Sequence, residues 1–194
     1  GRVLTRRLAQ TEARTKVTLY QALLKTDKFE LVLQKGTELG VTAFVPLLSD
    51  RCVVGNASQI GASKLERWNR IIVEAAEQSR RGKRPVLGPV TLFPLACENA
   101  RGLSIVAWER EQERRLRDVL RQTLGEQGLA TAGGRRPFSI NVFVGPEGGF
   151  SEREVEIARS YGIIPVTLGP RILRAETAAL AVVTMLLYEA GDLG

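Results

Sequence analysis

Val144-Gly145-Pro146-Glu147-Gly148-Gly149-Phe150-Ser151 is the stretch that organises this 194-residue chain. The apolar run Ile140-Asn141-Val142-Phe143-Val144 before it reads as a buried strand. Ser151 with Glu154 gives the Ser-x-x-Glu signature of a helix start. A strand thus runs through three glycines and a proline directly into a helix. In open parallel sheets, ligands bind beyond the carboxyl ends of the strands, and this loop lies at such an end. Glycine lets backbone groups approach a ligand without Cβ obstruction, and Pro146 stiffens the turn. A plain tight connection is the competing reading, but three glycines in five residues exceed what a connection needs.

The arrangement recurs about twenty residues on. A strand over residues 163–168 ends in Gly169-Pro170-Arg171-Ile172-Leu173-Arg174-Ala175-Glu176-Thr177-Ala178, which opens a helix over residues 176–189. Glu176 near a helix N-terminus is electrostatically favourable; Arg171 and Arg174 are not. Cations at the wrong end of the helix dipole argue for a functional reason, against the alternative of helix-end electrostatics alone. The helix itself is apolar on every face, so it must be covered all round, and a subunit interface is one way to cover it.

Outward from these loops, helices and strands alternate. Helical spacing predicts helices over residues 29–39 (stopped by Gly40), 63–80, 111–124 and 151–161. Apolar runs predict strands over residues 43–48 and 104–108. A polar loop holds Gly133-Gly134-Arg135-Arg136. The order of elements predicts an α/β fold with a mainly parallel sheet flanked by helices. Residues 1–24, with Arg6-Arg7 and the strand-like Val17-Thr18-Leu19-Tyr20, read as the remnant of a preceding module, and residues 25–194 as the main domain. Residue 1 is Gly rather than Met, so the native N-terminus is expected to lie outside this sequence.

Composition narrows the chemistry. The chain has no histidine, which excludes Ser-His-Asp and Cys-His catalysis and His-ligated metals. Its two cysteines, Cys52 and Cys97, are too few for a structural zinc site or a disulfide framework, and point to a reducing compartment. The longest nearly apolar run, residues 178–188, is about half of what a membrane-spanning helix needs. No charged-then-apolar signal segment opens the chain. Net charge is +7, and arginine supplies 22 of the 28 cations. That suits phosphate recognition, although scattered charges on a solvated surface give the same total. Neither the P-loop nor the Rossmann glycine signature is present.

Together the two loops resemble the RsmE family, bacterial methyltransferases acting on N3 of a uridine in 16S ribosomal RNA. Gln34-Lys35-x-Thr37-Glu38-Leu39-Gly40, Arg67-Trp68, Glu74-Ala75-Ala76-Glu77-Gln78-Ser79 and the terminal Gly191-Asp192-Leu193-Gly194 extend the match from about Lys25 to the last residue. Gly36 and Ala175 stand where the family has Ala and Thr, the former at a helix cost of about 1 kcal/mol. The resemblance implies a SPOUT-type fold with a C-terminal trefoil knot, a cytoplasmic homodimer, and an N-terminal PUA-like RNA-binding module of which residues 1–24 hold only the tail. It also implies S-adenosylmethionine as cofactor and 16S rRNA in the small ribosomal subunit as partner, with no metal and no membrane. Val144, Gly145, Pro146, Glu147, Gly148, Gly149, Leu168, Gly169, Ile172, Leu173, Arg174, Thr177 and Ala178 are the expected cofactor-binding residues. Without histidine, Glu176 is the candidate base for the uracil N3 proton and Arg174 the candidate stabiliser of charge on a uracil oxygen; an ion pair between them that merely fixes the fold is the alternative. Lys35, Arg51, Arg80, Arg81, Lys83 and Arg84 are the candidates for RNA backbone contact. Two other functions fit the same residues less closely: a SPOUT enzyme acting on tRNA or a ribose 2'-hydroxyl, and a non-catalytic RNA-binding module.

Overall fold

A computed structural model describes residues 11–25, 27–53, 60–126 and 138–193, with the side chains of 124–126 left out. The expected Gly133–Arg136 loop, Arg6-Arg7, Thr26 and Gly194 lie outside the described residues. In chain order the elements are β1 (Lys16–Ala22), α1 (Lys28–Leu39), β2 (Ala43–Leu48), α2 (Ala62–Gln78), β3 (Val86–Leu87), β4 (Thr91–Leu92), α3 (Phe93–Asn99), β5 (Leu103–Ala107), α4 (Leu116–Glu126), β6 (Ser139–Val144), α5 (Glu152–Ser160), β7 (Ile164–Val166) and α6 (Ala175–Ala190). The sheet runs β3-β2-β1-β6-β5-β7, with β4 also beside β2, and every pairing is parallel. The expected α/β architecture is present.

Parallel strands need crossovers, and the helices that supply them run back against the strands. One pole of the sheet therefore gathers the strands' carboxyl ends and the helices' N-termini; the other gathers strand starts and helix ends. Side-chain alternation along the strands feeds two cores. Val17, Leu19, Ile105, Ile140 and Val142 face α1, α2, α4 and α6, where Phe29, Trp68, Leu120 and Val183 meet them. Tyr20, Val106 and Phe143 face α3 and α5, against Phe93, Phe150 and Val155. Each such fully buried side chain contributes roughly 1.5–3 kcal/mol through its removal from water.

The first 24 residues are not simply a remnant. Lys16–Ala22 is the strand between β2 and β6, with Leu19 opposite Phe44 on one side and Val142 on the other. The strand-like Val17-Thr18-Leu19-Tyr20 was legible; its place in the middle of the sheet was not. The domain includes β1, and the boundary expected at 24/25 moves toward the N-terminus.

One further expectation changes, and one is left to a partner chain. The helix expected from residue 111, α4, begins at Leu116, because residues 114–116 lie at the sheet edge: Thr167 N–H donates to the Arg114 carbonyl at 2.8 Å, and Leu116 N–H to that of Thr167 at 3.3 Å. The last helix is not covered all round. Ala179, Val182, Val183, Leu186 and Leu187 are buried, while Met185 and Tyr188 are 39% and 67% exposed. From β7 the chain passes beside residues 114–116 and returns through α6 to pack between α1 and α4.

Gly36, unusual within a helix, has a packing reason. A Cβ there would lie 2.8 Å from Cε1 of the fully buried Phe44. The helix gives up propensity so that the β2 ring can close against it.

Candidate active site

Three strand tips that stand side by side, those of β5, β6 and β7, open into a cavity of about 580 Å³. One wall is the glycine loop after β6, from Val144 to Gly149. Another is the segment after β7, from Thr167 to Ala175, with Ala178 of α6. The third is Ala107, Trp108 and Glu109 at the end of β5, and Lys28 at the start of α1 completes the rim.

The glycine loop is folded tightly on itself and braced from outside. Gly149 N–H donates to the Pro146 carbonyl at 2.9 Å. A Cβ on Gly145 would lie 3.1 Å from both Gly149 C and Phe150 N, and Gly149 has φ +68° with the Glu109 carboxylate 2.5 Å from where its Cβ would be. These glycines answer to protein atoms as well as to any ligand. Gly169 differs: its φ is +119°, and nothing stands within 4 Å of where its Cβ would project. That glycine leaves open space on the cavity wall for a ligand to approach the backbone.

The brace comes from the loop after β2. Arg51 donates to the Gly148 carbonyl at 2.8 Å, and its stem lies against Gly148. Ser151 Oγ donates to Asp50 at 2.9 Å and accepts Glu154 N–H at 3.2 Å. Glu154, 2% exposed, accepts the N–H of Ser151 at 2.8 Å and that of Asp50 at 2.9 Å, so the expected capping box is present and shared with a second loop. Lys25 N–H donates to Glu147 at 3.0 Å. Behind the loop, burial and then the Glu154 carboxylate push the Cys97 thiol up to about 12. Cys97 stays a thiol at neutral pH and offers no nucleophile.

Of the residues expected to bind a cofactor, Val144, Gly145, Pro146, Glu147, Gly148, Gly149, Leu168, Gly169, Ile172, Leu173, Arg174 and Ala178 all line this one cavity. Thr177 does not; it is exposed on the first turn of α6. Glu176 does not line it either. Its side chain is 13% exposed, with Oε1 3.5 Å from Lys28 Nζ and Oε2 buried without a hydrogen-bond partner. The alternative of a Glu176–Arg174 ion pair is not what forms: Glu176 pairs with Lys28 instead. Sequence reading missed Lys28, Trp108 and Glu109, while Arg171 was already singled out beside Arg174 at the entry to the last helix. Trp108 had a signal: it ends the expected strand over residues 104–108 at the same pole as the two loops.

The expected RNA-contacting residues do not form one patch. Arg51 stands at the cavity pole, holding the glycine loop. Arg80, Lys83 and Arg84 are exposed beyond the end of α2, at the opposite pole, and Lys35 pairs with Glu38 at 2.8 Å on α1. Arg81 is a structural residue. Its side chain is 4% exposed, pairs with Glu12 at 2.9 Å, and donates to the carbonyls of Thr37 and Val41 at 3.0 and 2.7 Å.

The RNA methyltransferase domain family matches residues 11–187. Ribosomal RNA small subunit methyltransferase E of Synechocystis is 41% identical over 92% of this chain and 56% of its own length. The chain belongs to the RsmE family. The RsmE protein of Bacillus subtilis is 34% identical over 90% of the chain and 66% of its own length, so the chain spans just over half to about two thirds of these relatives. A crystal structure of the Neisseria gonorrhoeae RsmE protein bound to S-adenosyl methionine superposes with a TM-score of 0.77 at 32% identity, covering 94% of this chain and 69% of that one. The match from residue 11 takes in β1, as the sheet requires. Among the described residues no group of His, Cys, Asp and Glu is placed to hold a metal ion, and no helix is long and apolar enough to cross a membrane.

Proposed function

We propose that this chain is the catalytic part of an S-adenosylmethionine-dependent methyltransferase that modifies N3 of a uridine in 16S ribosomal RNA. One observation carries the reading: two loops separated by about twenty residues, each read as a ligand loop, close on a single cavity at the tips of β6 and β7, with the β5 tip between them. The residues there fit the cofactor. Leu168 and Leu173 give an apolar wall, Gly169 leaves its backbone approachable, and the glycine loop presents main-chain groups at a braced, fixed position. When bound, S-adenosylmethionine supplies an electrophilic methyl group on a sulfonium.

The chain's own contribution is alignment and charge. A rigid loop holds one reactant in place, so that little ordering remains for the reaction itself. Arg174, exposed on the rim as the residue before α6, stands ready to stabilise negative charge on an oxygen of the acceptor base. The target base must leave its stack to reach a cavity of this kind. Exposed Arg80, Lys83 and Arg84 would hold RNA backbone at a distance from the site, together with the N-terminal PUA-like module proposed for the full-length protein. The open apolar face of α6, with Met185 and Tyr188, supports a homodimer, and the return of the chain past residues 114–116 supports the trefoil knot. Free Cys52 and Cys97 suit the cytoplasm.

Calorimetry with S-adenosylmethionine and mass spectrometry of ribosomal RNA test this directly. Micromolar-range binding and the loss of one N3-methyluridine in cells lacking the protein are the expected results. An unchanged modification profile would overturn the substrate; no binding would overturn the enzyme.

A further inference from the structure

Lys28 is the first residue of α1, a position where the helix dipole disfavours a cation. It nevertheless lines the cavity, with its side chain 32% exposed and its ammonium 3.5 Å from Glu176 Oε1. Glu176 sits in the first turn of α6, where a carboxylate is favoured, and is too enclosed to meet a substrate itself. The two helix starts thus hold a cation at the cavity from behind. The other charged groups of the cavity are Arg171 and Arg174 before α6, Glu109 after β5 and Glu147 in the glycine loop. Both arginines are exposed, and among the described residues neither side chain makes a hydrogen bond or ion pair. A cation already fixed by its own carboxylate reorganises less when charge develops beside it.

We propose that Lys28 is a catalytic residue whose ammonium stabilises the N3-deprotonated form of the acceptor uracil, with Glu176 as the residue that positions it. The inference rests on the uridine-N3 reading above. In the step concerned the N3–H bond breaks, its electron pair stays on the ring and is shared with the carbonyl oxygens, and the proton passes to water. Lys28 remains an ammonium throughout. Glu176 keeps the lysine head from turning out to solvent and takes no proton.

The test uses the full-length protein and a short RNA with 5-fluorouridine at the uridine located by the mass-spectrometric comparison. Fluorine makes N3–H more acidic and reports its ionisation by 19F resonance, without any methyl donor present. With the wild-type protein the bound base is expected to ionise at a pH lower than in free RNA by about one unit or more. Lys28→Met should abolish that shift and lower turnover on ordinary uridine at least tenfold, with the loss smaller on 5-fluorouridine. Lys28→Arg should restore part of both, and Glu176→Gln, which keeps the lysine and the volume, should give an intermediate shift. An unaltered shift in both Lys28→Met and Glu176→Gln would overturn the proposal, as would a shift lost only in Arg174→Ala. A wild-type protein that methylates no uridine N3 would instead sink the functional reading beneath it.

Discussion

The two poles of the sheet use the same residue types to opposite ends. At the pole of strand starts, charged side chains close on one another: Arg81 on Glu12, Lys35 on Glu38, and the Asp192 carboxylate on the N–H groups of Arg14 and Thr15 at 3.0 and 2.9 Å. At the pole of strand ends, the side chains of Glu109, Arg171 and Arg174 on the cavity make no hydrogen bond or ion pair among the described residues. Charges that are satisfied within the protein fix its shape. Charges left open around a cavity are available to a substrate. The difference lies in satisfaction, not in composition.

Arg81 offers the strongest way to break that contrast. Arg81→Ala would leave Glu12 without its counter-charge and remove two donors from backbone carbonyls. A loss of about 3 kcal/mol of unfolding free energy in urea is expected, with S-adenosylmethionine affinity unchanged in the fraction that remains folded. Stability equal to wild type, with weakened RNA binding, would return Arg81 to the RNA surface. Gly145→Val probes the other pole. Its side chain would press on the Gly149 and Phe150 backbone, at about 1–3 kcal/mol for the overpacking, and donor affinity measured by calorimetry should fall about tenfold or more as the loop is forced open.

The smallest effect is one of pH. Burial pushes the Glu12 carboxyl up, but the Arg81 guanidinium and the N–H groups of Lys83 and Gly82 outweigh it and hold the group below the ordinary value of 4.5. A carboxyl held low in the folded state contributes stability that is complete above its unfolded value and is lost as pH falls through the folded one. Thermal melts from pH 6 downward should therefore show wild type losing part of its margin over Glu12→Gln below about 4.5. Parallel curves for the two proteins would remove Glu12 from the account.

Much of this was legible where local signals and tertiary demands agree. Ser151 and Glu154 announced α5, Gly40 closed α1 with φ +115°, and the run from Ala43 to Leu48 became β2 with its expected ends. The two-residue strands β3 and β4 were not seen, because Pro85, Gly88 and Pro89 mask them and only the edge of β2 defines them. Residues 111–115 carry helical spacing yet end against Thr167, just past β7, and Glu111 accepts the N–H groups of residues 113 and 114 at 2.9 and 3.2 Å and competes with the helix. At the site, both loops were readable because glycine and proline punctuate strand ends. Lys28 and Glu109 were not, since one charge beside a helix or strand looks like any other until the topology brings the tips together. Arg81 failed for the same reason in reverse: its basic neighbours Arg80, Lys83 and Arg84 suggested a surface, and burial of one side chain is invisible in a charge run.

The strand at the middle of the sheet comes from the beginning of the described chain, and its partner β6 is made some 120 residues later. During synthesis β1 emerges well ahead of β6 and must wait, one hydrogen-bonding edge unsatisfied, until residues 139–144 leave the ribosome. Asp192 latches the N–H groups just ahead of β1 later still. Assembly of this domain is therefore governed by closure between its two ends rather than by stepwise growth. A stop before residue 144 removes the partner of β1 and with it the centre of the sheet, and not merely its edge.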